Sequence, residues 1–198
     1  MQTRSEETRA NILQAALILF ARLGYEAASV EDICAEAGVS KGAFYHHFPT
    51  KQAVFLQLLH DWLDGLDMQF TQARQDAENA AQIFMRMTAA VPGIFRDADQ
   101  RLPMFLEFWA QASRDEAVWQ TTIAPYRRYR DYFASLIEQG IAEGVFRPVE
   151  PQAAARLIVA LAVGMLLQGL LDPQEGDWQV ITTETLKIVM NGLAAEKE

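Results

Sequence analysis

Ser29–Lys51, which reads SVEDICAEAGVSKGAFYHHFPTK, places hydroxyls, imidazoles and lysine ammonium groups where short helices begin and end. Ser29 suits an N-cap, and Asp32 three residues on makes a near match to a capping box. Val30, Ile33 and Ala37 recur at helical spacing. Gly38 tolerates the positive φ that ends a helix. Ser40 can cap a second helix, with Val39 and Phe44 placed as a hydrophobic staple. Pro49 disfavours helical geometry at Phe48 and stops that helix. Lys51 then opens a third helix behind Thr50, where a cation opposes the helix dipole. A phosphate at that helix start reverses the sign, because backbone N–H groups and the lysine both point to it. Ser29 offers its hydroxyl and amide in the same way. Two short helices joined by a Gly-containing turn make a helix-turn-helix, the unit that lays its second helix in a DNA major groove.

Other chemistry is less well served. His46 and His47 are adjacent, so on a helix they diverge by about 100° and share one ion poorly. With no HExxH pattern and one cysteine, no metal site is expected. Cys34 beside Ile33 reads as a small buried hydrophobe more readily than as a redox sensor. There is no nucleophile elbow, P-loop or dinucleotide-binding glycine pattern. The three histidines, His46, His47 and His60, lie away from the aromatic half of the chain. No enzyme and no cofactor are expected.

The elements that must position the stretch are all helical. The chain has 198 residues, 51% of them hydrophobic, enough for one domain or two small ones with a real core. Its formal net charge is −9. Residues 1–51 hold five basic side chains against six acidic ones, so any nucleic-acid contact relies on a few placed groups. A first helix is expected over Glu6–Leu23 with Ser5 as cap, and a long one over Lys51–Ala77. Further helices are expected over Asn79–Arg96 (its end bent by Pro92-Gly93), Leu102–Ser113 (Pro103 in its first turn), Glu116–Glu143, Gln152–Leu171 and Asp177–Asn191. The N-terminus lacks the apolar core of a signal peptide, and a cytoplasmic protein is expected. Ala153–Leu171 is apolar and only about long enough to span a membrane, but a buried interface helix fits the amphipathic company it keeps. With Leu157, Leu161, Gly164 and Met165, and with Ile181, Ile188 and Val189 of the last helix, it forms a candidate two-fold dimer interface.

Read in order, Ile12, Ala15, Ala16, Phe20, Gly24, Tyr25, Ser29, Val30, Ile33, Ala37, Gly38, Val39, Ser40, Gly42, Tyr45, Phe48, Lys51 and Leu56 resemble the TetR family of bacterial transcriptional regulators. The likeness is dense over residues 5–60. Residues 104–173, with FLEFWAQAS and LIEQGIAEGVFRP, resemble the C-terminal region of one large subgroup. The resemblance implies an all-α fold of about nine helices. Residues 1–50 would form the three-helix DNA-binding domain, and 51–198 a larger domain for effector binding and dimerisation. It implies that Ser29, Ser40, Lys41, Gly42, Ala43, Tyr45, His46 and Lys51 meet double-stranded DNA. Ser29, Tyr45 and Lys51 would contact phosphate, and Ala43 could touch a thymine methyl. Trp62, Phe84, Met87, Phe105, Phe108, Trp109, Tyr126, Tyr129 and Met165 are candidates for a small, largely apolar effector pocket, or else ordinary core. Glu107, Arg127 and Arg130 are candidate ligand-orienting groups, or else solvated or paired surface charges. The expected function is a repressor released from a palindromic operator by an effector. An activator or a ligand-independent regulator remains the alternative, since the sign of regulation, the effector and the operator are not written in the sequence.

Overall fold

The computed structural model describes residues 2–87 and 91–195, without the side chains of 2–3, 91–92 and 94–101. Nine α-helices run through the described residues: α1 (Gln2–Leu23), α2 (Val30–Ala37), α3 (Lys41–His47), α4 (Lys51–Arg74), α5 (Ala80–Met87), α6 (Val91–Ala112), α7 (Glu116–Ala142), α8 (Pro151–Leu171) and α9 (Trp178–Leu193). Among these residues the only β pairing is an isolated antiparallel bridge between Phe146 and Ala194. The all-α expectation holds.

Two helix starts differ by several residues from those expected. α1 begins at Gln2, so Ser5 lies inside it rather than capping it. α6 begins at Val91, which puts Pro92-Gly93 at a helix start and Pro103 in a helix interior. Pro125 is likewise inside α7. Proline is costly there because it lacks an N–H and crowds the preceding turn, and only surrounding packing offsets that cost. The expected continuation of α5 towards Arg96 crosses residues 88–90, which lie outside the described residues.

The chain packs as two units: Met1–Gly65 with Gln100–Thr122, and Leu66–Asp99 with Ile123–Glu198. The first unit is built around aromatic rings. Phe55 is fully buried and meets Phe108 stacked at 3.9 Å, Tyr25 edge-on at 5.2 Å and Phe105 edge-on at 5.4 Å, with Phe20 at 6.0 Å. Ile12, Ala16, Ile33, Phe44 and Val54 complete its core with no exposed surface. Helices as short as α2 and α3 are marginal alone, so this burial is what keeps them folded. The second unit has its own core of Ile83, Phe84, Phe133, Leu136, Ile137, Phe146, Ile158 and Met190. Gly140 is required there, because a Cβ at that position would collide with the Phe146 ring.

Candidate DNA-reading site

Local interactions set the helix-turn-helix. Ser29 and Asp32 form a full capping box: Asp32 N–H donates to Ser29 Oγ at 3.1 Å, and Ser29 N–H donates to Asp32 Oδ2 at 3.0 Å. The hydrogen bonds from Ser29 hold the Asp32 carboxyl below its ordinary range. Ser29→Ala is expected to cost about 1 kcal/mol, read as a lower unfolding midpoint. An unchanged midpoint would mean that the Asp32 carboxylate caps α2 unaided. Gly38 takes φ 66°, with Gly38 N–H on Ala35 O at 3.3 Å and Val39 N–H on Cys34 O at 3.0 Å, a Schellman end. Ser40 Oγ accepts from Ala43 N–H at 3.1 Å and starts α3. Phe48, extended at φ −135°, closes it before Pro49.

These caps aim α3. Phe44 is buried and Phe48 nearly so, which turns Lys41, Gly42, Tyr45 and His46 outward on one side. Tyr45 is 54% exposed, its ring edge-on to Phe44 at 5.3 Å. Ala43 is half-buried behind this face, and Lys41 pairs with exposed Glu31 at 3.1 Å. Arg9 lies over the Phe48 ring at 5.4 Å. Cys34 is buried, and burial pushes its thiol up, as the apolar reading of this residue expects.

Lys51 has partners that sequence reading missed. Its ammonium donates to Tyr25 O at 2.7 Å, Glu26 O at 3.1 Å and Ala28 O at 2.8 Å, and sits 4.6 Å from the Tyr25 ring centroid. Three N–H groups thus meet three carbonyls of the turn between α1 and α2. Desolvation lowers the lysine's pKa against the opposing pull of Glu26 and Glu107. Burial, with Glu26 nearby, pushes the Tyr25 phenol up to about 12.

The expected effector residues fall in both units. In the first, Phe105 and Phe108 fill the core, and Trp62 stacks on Phe105 at 5.0 Å, while Trp109 is half-buried. In the second, Phe84 and Met87 lie in the core, and Met165 is half-buried. Tyr126 is exposed, and the Tyr129 hydroxyl donates to Asp67 at 2.9 Å. Among the described residues, Trp62 Nε1 in the first unit and Gln69 Oε1 and Thr182 Oγ1 in the second are buried without a hydrogen-bond partner. Of the expected ligand-orienting charges, Arg130 pairs with Asp131 at 2.9 Å. Glu107 accepts from the backbone of the α1–α2 turn. Of the expected interface residues, Leu157 (54%) and Ile188 (71%) are exposed, and Leu161, Gly164, Met165, Ile181 and Val189 are half-buried. Val163, Leu167, Leu171 and Val180 add exposed apolar surface to the same two helices.

Residues 12–58 match the family described as bacterial regulatory proteins, tetR family. Residues 85–193, more than half of the chain, match the C-terminal region of BetI-type transcriptional repressors. The chain belongs to the TetR family. The HTH-type transcriptional regulator YfiR of Bacillus subtilis is 26% identical to it over 171 residues, 86% of this chain and 83% of YfiR. The repressor KstR2 of Mycolicibacterium smegmatis is 29% identical over 142 residues, 71% of this chain and 68% of KstR2. A transcriptional regulator from Saccharomonospora viridis, solved in complex with choline, superposes with a TM-score of 0.80 at 25% identity, covering 97% of this chain and 100% of that one.

This TetR-family chain is therefore a DNA-binding transcriptional regulator. Its helix-turn-helix was legible because every cap lies within a few residues of its partner. The contacts of Lys51 and Glu107 with the α1–α2 turn were not, and the one local hint was the unfavourable lysine at a helix start.

Proposed function

We propose that the protein is a homodimeric, effector-responsive repressor. Residues 1–50 read the operator and residues 51–198 bind the effector and the second subunit. The observation that carries the reading half is the outward face of α3, with Lys41, Gly42, Tyr45 and His46 displayed over the buried Phe44. Small Gly42 lets the backbone approach the duplex, the Tyr45 hydroxyl donates to phosphate, and Lys41 and His46 reach phosphates or base edges. Ala43 supplies a methyl for thymine contact, and the Ser29 and Ser40 caps hold the two helices at the groove. Lys51 acts from behind, as the anchor of the α1–α2 turn and a positive charge at the start of α4.

Exposed Leu157, Val163, Leu167, Leu171, Val180 and Ile188 support a two-fold interface through α8 and α9. A two-fold dimer calls for a roughly palindromic operator. Buried polar atoms without partners, at Trp62, Gln69 and Thr182, support an effector, since such atoms are ordinarily paired. Choline, the ligand of the similar regulator from Saccharomonospora viridis, is the first probe for a thermal-shift titration, followed by larger apolar compounds. The protein would act in the cytoplasm, without catalysis.

The test is selection of duplexes from a randomised pool, followed by a salt series on the enriched site. Enrichment of an inverted repeat is expected, with Lys41→Ala lowering the slope of log affinity against log salt by about 1 per subunit, about 2 for the dimer. A pool without any enriched duplex would sink the sequence-specific reading.

A further inference from the structure

The turn from Gly24 to Ser29 belongs to no helix, yet side chains from two distant helices engage its backbone. From α6, Glu107 Oε2 accepts from Tyr25 N–H at 2.9 Å and Glu107 Oε1 from Glu26 N–H at 2.8 Å. One turn further along α6, Gln111 donates to the Glu26 carboxylate. From α4, Lys51 engages the carbonyls of Tyr25, Glu26 and Ala28. The turn is shaped for the carboxylate. Gly24 takes φ +84°, and a Cβ there would come within 2.6 Å of Glu107 Oε2. A side chain at 24 would be strained and would displace the acid.

The carboxylate is not needed to fill the core. Glu107 is only half-buried, and its neighbours Phe105 and Phe108 are held by the rings around Phe55. Its hydrogen bonds go to backbone amides of the turn that carries α1 into α2, and charge-assisted bonds of this kind are directional. They fix how the turn sits on α6, more than whether the unit folds.

We propose that Glu107 is a positioning residue for DNA reading: by holding the Tyr25 and Glu26 amides it sets the orientation of the α1–α3 head on α6, and so the spacing of half-sites that the dimer accepts. This rests on the dimeric reading proposed above. The two heads of a dimer bind together only where their geometry matches the half-sites, so a fixed head makes spacing a sharp requirement. A loosened head accepts more spacings at lower peak affinity.

Glu107→Gln keeps the shape but places an amide donor against one of the turn's N–H donors. Glu107→Ala, which opens both amides to water, is run beside it. The full-length protein and each variant are titrated with the duplex that wild type selects from a randomised pool, and with versions whose half-sites are one base pair closer or further apart. Wild type is expected to lose about a hundredfold in affinity on the altered duplexes, and the variants to bind all three within about threefold of one another. Folded variants that keep the wild-type spacing preference would overturn the assignment. So would failure of both to fold, since Glu107 would then be a stability element. Wild-type protein that selects a duplex but binds every spacing equally would remove the dimeric reading, and the assignment with it.

Discussion

A chain carrying Leu157→Asp and Ile188→Asp is expected to sediment as a monomer and to bind its selected duplex about a thousandfold more weakly than wild type. Both side chains are exposed, Leu157 at 54% and Ile188 at 71%, so neither change disturbs the core of its own subunit. Each apolar side chain of this size gains about 1.5–3 kcal/mol on full burial. An aspartate in its place must lose hydration without gaining a partner, and in a two-fold interface each change occurs twice. α8 is also the one helix of the described residues long and apolar enough to cross a membrane by length and composition, with a mean hydropathy of 2.0 in its most apolar window. Lipid is therefore the competing cover. Wild-type protein that stays monomeric and floats with phosphatidylglycerol vesicles would overturn the dimer. A double variant that still sediments as a dimer would move the interface elsewhere.

Phe55→Ala is expected to destabilise the first unit by about 3–5 kcal/mol, a large share of the roughly 5–15 kcal/mol that holds a typical domain. Phe55 has no exposed surface and touches Phe20, Tyr25, Phe105 and Phe108. Truncation removes the ring's transfer energy and leaves a cavity bounded by rigid rings that collapse poorly. Phe55→Leu refills part of the space and should cost less than half as much. Denaturant unfolding followed by tryptophan fluorescence reads the effect, helped by Trp62 stacked on Phe105 in the same unit. DNA binding should fall with the folded fraction and return on cooling. A loss below about 1 kcal/mol would mean that the aromatic cluster is not the keystone of the unit.

How far the sequence could be read follows the range of the interactions involved. α2 and α3 begin and end where Ser29, Asp32, Gly38, Ser40 and Pro49 place them, because each cap bonds a backbone group a few residues away. The first turn of α1 and the start of α6 were misplaced for a complementary reason. Ser5 and Pro103 are punctuation only when nothing else holds the helix, and the structure runs helix through both. The aromatic residues were legible as a set but not in their roles. Phe105 and Phe108 recur at helical spacing like any core face, and only packing shows them closing around Phe55.

The sequence by itself determined the all-helical class, the helix-turn-helix with its outward Tyr45 and inward Phe44, and an apolar α8 in search of a partner. Those features depend on periodicity and on contacts between near neighbours in the chain. Tertiary structure alone decided what two charges do. Glu107 reads as a ligand-orienting group or a surface charge, and Lys51 as a cation waiting for a phosphate. Folding brings both to the turn after α1, the one onto its amides and the other onto its carbonyls. A charged side chain carries no local mark of its partner, because the partner here is backbone, which is the same in every sequence until the fold selects which part of it is left unpaired.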